Sequence, residues 1–162
     1  MAQNFLEQLL KEWYEFQGYF VLQNIRVGKR AEGGHEMELD IVAYHPIDKK
    51  LVHLEPSMDA DSWERREERY KKKFDLGKKY IPNLFTGLKI EGEIEQFAVF
   101  VIGSKKNHTE IGGGKIMLGA DLASQIYEKI SPMDILNNAV PEKWPLLRTF
   151  QFMAKYKPWE TP

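Results

Sequence analysis

Apolar residues recur at helical spacing from the start of the chain: Phe5, Leu6, Leu9, Leu10, Trp13 and Phe16. Polar Glu7, Gln8, Lys11 and Glu15 fill the other faces, so the pattern predicts an amphipathic helix that Gly18 can close. The period then changes. Residues 19–27 are rich in aromatic and β-branched side chains and predict a strand, and residues 28–34 form a glycine-rich, charged loop. Two more strands are predicted over 37–44 and 50–54, joined at Pro46-Ile47-Asp48, and the three runs together suggest an antiparallel meander. Helical periodicity returns over 62–80, where Trp63, Tyr70, Phe74, Gly77 and Ile81 share one stripe. Asp61 with Glu64 fits a capping box, and Pro82 is expected to end that helix. Residues 95–103 read as a buried strand, 104–114 as a polar loop and 115–118 as a short strand. Helices are predicted over 120–130 and over 141–156, the latter opened by Pro141. The order α-β-β-β-α-β-β-α-α implies an α/β fold: a central mixed β-sheet flanked by helices on both faces.

Length and composition narrow the possibilities. A chain of 162 residues suits a single domain spanning 1–162, and 43% hydrophobic with 29% charged residues is a globular composition. There is no cysteine, which excludes disulfides, thiolate-bound zinc and thiol catalysis. No apolar run reaches the roughly 18 residues of a membrane span, so no membrane partner is expected. The opening Met1-Ala2-Gln3-Asn4-Phe5 lacks the features of a secretory leader, and a cytoplasmic location is the expectation. The net charge of −1 gives no overall field to attract a polyanion. Locally the balance differs: between Ser62 and Tyr80 there are eight Lys or Arg against four Asp or Glu. Such a face suits phosphate contacts, with Arg66, Arg69, Lys71 and Lys73 as candidates and Lys29 and Arg30 as an extension. A solvated face with acidic i,i+4 partners is the competing explanation.

Candidate chemistry lies in Glu36-Met-Glu38-Leu-Asp40-Ile-Val-Ala43 and Leu51-Val-His53-Leu-Glu55-Pro56-Ser57. On neighbouring antiparallel strands, Asp40 and Glu55 fall near each other. Both interrupt apolar runs, where an ionised carboxylate is costly unless paired or metal-bound. Two such carboxylates suit a hard divalent cation, magnesium above all; the alternative is a pair of solvated strand ends. No phosphate-binding glycine loop accompanies them, because Gly112-Gly-Gly-Lys115 lacks the required spacing.

Over roughly residues 4–80 the chain resembles the PD-(D/E)XK nuclease superfamily of restriction-endonuclease-like and resolvase-like proteins. The resemblance rests on Glu7 in the first helix, Gly18-Tyr19, Glu38-Leu-Asp40-Ile-Val-Ala43 and Leu51-Val-His-Leu-Glu55-Pro-Ser57, in that order. It implies a restriction-endonuclease-like core over about 4–103 with a helical part over about 120–157. It also implies metal-dependent hydrolysis of DNA phosphodiesters, with Asp40, Glu55 and the Pro56 carbonyl holding magnesium, or manganese in its place, and Glu7 adding a carboxylate. Glu38 shares the strand face of Asp40 and is a further acidic neighbour. The family's lysine two residues after the glutamate is replaced by Ser57. Some members supply that cation from the following helix. Arg66 and Lys73 flank the apolar stripe on one side, Lys71 and Lys78 on the other, so Lys73 is the first candidate for the catalytic cation and Lys71 the second. The alternative is an inactive nuclease-fold module serving in nucleic-acid binding or protein assembly. The aromatic tail, with Trp144, Phe150, Phe152, Tyr156 and Trp159, reads as a packing helix or as the surface of a homodimer.

Overall fold

The computed structural model describes residues 4–59, 61–157 and 159–160; the leader expectation for Met1–Gln3 and the extreme ends of the expected domain lie outside them. The fold is α/β, with a six-stranded mixed sheet and four helices in the order α1 (Phe5–Phe16), β1 (Phe20–Lys29), β2 (His35–His45), β3 (Lys50–Ser57), α2 (Trp63–Leu84), β4 (Glu95–Phe100), β5 (Glu110–Ile111), β6 (Gly114–Leu118), α3 (Gly119–Ile130) and α4 (Pro145–Tyr156). Spatially the strands run β1-β2-β3-β4-β6-β5. The first three form the antiparallel meander. The crossover through α2 then sets β4 parallel to β3, β6 is parallel to β4, and β5 closes the far edge against β6.

Two apolar layers sandwich the sheet. On one face Leu6, Leu10 and Trp13 of α1, Leu122 and Ile126 of α3 and Leu147 of α4 pack on Ile41, Ala43, Val52, Leu54 and Val99. On the other face α2 lays its stripe down in two patches: Ile81 over Val42 and Leu51, and Tyr70 with Phe74 over Ala98 and Ile116. Asn4 caps α1 by accepting the Glu7 N–H at 2.9 Å, and Gly18 takes a left-handed φ of +93° just beyond its end. Among the described residues no helix is long and apolar enough to cross a membrane.

Five local expectations need correction. The second helix runs through Pro82 to Leu84, because Ile81 and Phe85 on either side of the proline are both buried against β2 and hold the last turn in place. Its cap is Ser62, with no side-chain cap bond, since Asp61 is drawn to Arg69 instead. The last helix begins at Pro145, not Pro141, and residues 141–144 form a turn closed by Trp144 N–H donating to the Pro141 carbonyl. The strand expected over 95–103 stops at Phe100, opposite Ser57 and Leu118, where both neighbouring strands end. The expected loop 104–114 contains β5, two residues long, paired to β6 and anchored by Ile111 buried beneath Tyr70 and Phe74 of α2.

Candidate functional site

Strand β2 changes course at Asp40. In a regular strand, residues two apart share a face. Leu39 nevertheless joins the α2 side of the sheet while Ile41 joins the α1 side. Opposite this reversal on β1 stands Asn24, at φ +52°, and the β1–β2 pairing skips it. Asparagine is among the few side chains that tolerate that left-handed conformation. The ladder between β2 and β3 also ends here, its last pair being Ile41 with Leu54. Asp40 and Glu55, next in register, are therefore not paired strand to strand, while β3 continues along β4 through Ser57. Instead the Asp40 N–H donates to Glu55 Oε1 at 3.2 Å.

Into this opening α2 delivers one cation. Lys73 Nζ donates to Asp40 Oδ2 at 3.1 Å and also to Glu55 Oε2. The Glu55 side chain is 1% exposed, against 18% for Lys73 and 20% for Asp40. Glu55 and Lys73 lie on the wall of a cavity of about 220 Å³, together with Pro56, Ser57, Asp59, Arg69 and Tyr70.

The charges are strongly coupled. Burial opposes ionisation of Glu55, but the His53 hydrogen bond and the Lys73 ammonium outweigh it and hold the carboxyl down at about 2. Asp40 goes the other way: burial, with the Glu55 charge beside it, pushes its carboxyl up to about 8 despite Lys73. Lys73 itself is largely desolvated yet held above its ordinary value by the two carboxylates. One ammonium thus faces two acids, and the cluster is short of positive charge.

Glu7 stands close enough to respond to the cluster: burial raises its carboxyl, Lys73 lowers it, and Glu38 and Glu55 raise it again. Glu38 pairs with Arg26 at 3.3 Å. Arg66 and Arg69 are tied to Asp59, and Arg69 to Asp61 as well, so they brace the loop after β3 rather than extend into solvent. Ser57 likewise gives its hydroxyl to Asp59. Lys71 does not join the carboxylates: it is exposed and pairs with Asp75 at 3.3 Å one turn along the helix, which leaves Lys73 alone in the expected role. Arg30 lies by Lys71 and Lys72 at a shallow depression that also holds Glu36, Glu68 and Asp75, and Lys29 is exposed at the end of β1.

No protein-family model matches the chain, and no curated protein does. The site is therefore judged on its geometry. One part of that geometry escaped the sequence reading. Gln96 of β4 reaches His53, its Nε2 lying 3.0 Å from His53 Nδ1, while His53 Nε2 lies 2.7 Å from Glu55 Oε1. The available signal was Gln96 itself, a polar residue heading the apolar run of β4.

Proposed function

We propose that this protein is a metal-dependent nuclease-like hydrolase of DNA phosphodiester bonds, with Asp40 and Glu55 as its metal ligands and Lys73 as its catalytic cation. The observation that carries the reading is the convergence of Asp40, Glu55 and Lys73 at the opening between β2 and β3. A lysine from the following helix reaches the site for which Ser57, in the position of the family's lysine, is unsuited.

The donor set fits magnesium or manganese in kind. Asp40 and Glu55 offer hard carboxylate oxygens, Glu55 and Pro56 line the cavity, and the two acids share a single ammonium. Among the described residues no three His, Asp or Glu side chains gather into a ready cage. Water and substrate oxygens would complete such a coordination shell, as is usual for magnesium. A bound divalent cation supplies Lewis-acid stabilisation and a more acidic water. The chain's own contribution is electrostatic: the Lys73 ammonium lies where it can meet charge developing on a phosphoryl oxygen, with Glu55 and Asp40 fixing its position. The basic excess along α2, with exposed Lys71, Lys72 and Arg65, favours a polyanionic substrate.

One observation favours a second reading, an inactive binding or assembly module. Lys73 already bridges the two carboxylates, as a purely structural ion pair would. Calorimetry with manganese separates the two. A nuclease site binds the ion in the wild type, loses it in Asp40→Asn, and takes it up more weakly below about pH 8 because Asp40 must release its proton. Absence of both manganese binding and DNA cleavage selects the module. DNA affinity itself should fall steeply with salt, and Lys71→Ala with Lys72→Ala should flatten that slope.

A further inference from the structure

The two oxygens of Glu55 have different partners. Oε1 receives the Asp40 N–H and faces His53 Nε2, whereas Oε2 faces Lys73. The hydrogen on His53 can be located from its other neighbour. Gln96 Nε2 lies 2.9 Å from the Phe74 carbonyl and 3.0 Å from His53 Nδ1. A carbonyl only accepts, so Gln96 must present its NH₂ there. The second hydrogen of that NH₂ then points at Nδ1, which has to be bare. The proton is on Nε2 and is donated to Glu55.

The ring is enclosed. His53 is 0% exposed, and Phe74 packs edge-on against it at a centroid distance of 5.5 Å. Helix α2 passes so close that a Cβ on Gly77 would come within 2.5 Å of His53 Nδ1 and 3.1 Å of Gln96 Nε2. A buried aliphatic side chain would fill the layer under α2 equally well. Only an imidazole, or a group with a donor at the same place, completes the contact to Glu55.

We propose that His53, keyed by Gln96 and seated beneath Gly77, is a positioning residue that occupies Glu55 Oε1 and leaves Oε2 as the single oxygen turned towards Lys73 and a divalent cation. The assignment rests on the nuclease reading for its consequence in catalysis. The orientation of the carboxylate stands without it. With His53 removed, only the longer Asp40 N–H contact holds Oε1, and Glu55 can turn away from the cation position and release Lys73.

The test compares the full-length wild type with His53→Leu, which lacks the donor, and His53→Gln, whose amide N–H reaches the same region. Gln96→Leu, which keeps the imidazole and removes its key, serves if His53→Leu does not fold. Nitrogen-15 NMR of the wild-type imidazole should show Nε2 protonated and Nδ1 bare. The opposite tautomer, or a doubly protonated ring at neutral pH, overturns the proposal. Manganese affinity should fall roughly 10- to 100-fold in His53→Leu and recover in His53→Gln. The turnover number for DNA cleavage should follow, with KM for DNA unchanged. Equal affinity in wild type and His53→Leu overturns the proposal. Should the wild type neither bind manganese nor cleave DNA, the nuclease reading fails and a third measurement decides the positioning role alone. Acylation of Lys73 by an N-hydroxysuccinimide ester, read by mass spectrometry against Lys71, should rise several-fold in His53→Leu and not in His53→Gln. No rise means that His53 does not hold Glu55.

Discussion

Lys73 Nζ lies 3.1 Å from Asp40 Oδ2, although 33 positions separate the two residues. The contact exists because three independent features coincide. Phe74 is buried on the stripe of α2, which aims its neighbour Lys73 over the sheet. The β2–β3 ladder ends one pair short of Asp40. Asn24 absorbs the change of course in β2 by taking a left-handed backbone. A lysine there reaches both carboxylates from the helix and not from β3.

Lys73→Ala should therefore separate chemistry from metal binding. In the proposed nuclease role the ammonium acts on charge that develops in the transition state, and losing such a group costs roughly 100- to 1000-fold in rate. Manganese affinity should hold or tighten, because a competing cation has been removed from Asp40 and Glu55. Lys71→Ala, at an exposed position paired with Asp75, should weaken DNA binding while leaving the turnover number unchanged. Cleavage and calorimetry on the two variants check this, and equal losses in both would remove Lys73 from its role.

The Asp40 carboxyl, pushed up to about 8 from an ordinary 3.8, makes stability depend on pH. The folded chain holds that proton more tightly than the unfolded chain. Its stabilising effect is complete below about pH 4 and is lost as pH rises through 8. Glu55 has the opposite sign: its contribution is present above its ordinary 4.5 and is lost only as pH falls towards 2. Asp40→Asn, neutral throughout, should melt close to the wild type near pH 4. At pH 8.5 without metal it should be more stable by about 2–4 kcal/mol, several degrees in Tm. Thermal melts across that range check the sign.

How far these relationships can be read in advance depends on their range along the chain. The stripe of α2 is local, so a helical wheel suffices to favour Lys73. It does not exclude Lys71, because both flank the stripe and only the sheet beneath says which side holds the acids. The antiparallel order of β2 and β3 brings Asp40 near Glu55 from spacing alone. The left-handed backbone of Asn24 opposite Asp40 and the early end of the β2–β3 ladder are features that no periodicity reveals. Gln96 meets His53 only because β4 lies parallel to β3 after a long crossover, in a register that places the two side by side. Pro82 misled because proline's local preference for ending a helix was overridden by burial of Ile81 and Phe85.

Glu12 shows the same limit at the other face of the sheet. The residue is 1% exposed, and its Oε2 accepts the N–H groups of Leu146 and Leu147 at 2.8 and 3.0 Å. Helix α4 has no side-chain cap of its own, so a carboxylate on α1 supplies one and pins the two helices together. Glu12→Ala leaves both donors unsatisfied and should destabilise the fold by about 2–4 kcal/mol, with Glu12→Gln losing about half of that. Denaturant titration should detect this in both variants, without any change in manganese affinity.

Gly77→Ala decides whether the glycine of α2 is retained for contact or by indifference. Within a helix, alanine is favoured over glycine by about 1 kcal/mol, so an uncrowded site would gain stability. Here the new Cβ would fall 2.5 Å from His53 Nδ1, on a ring locked by Phe74 and Gln96. Overpacking of this kind costs about 1–3 kcal/mol, which outweighs the helical gain, and Gly77→Ala should be net destabilising. In a His53→Ala background the obstruction is gone, and the same substitution should become neutral or stabilising. The change of sign across the double-mutant cycle is the decisive result, because the two residues then interact directly. Identical effects in both backgrounds would mean that Gly77 does not make the room in which His53 sits.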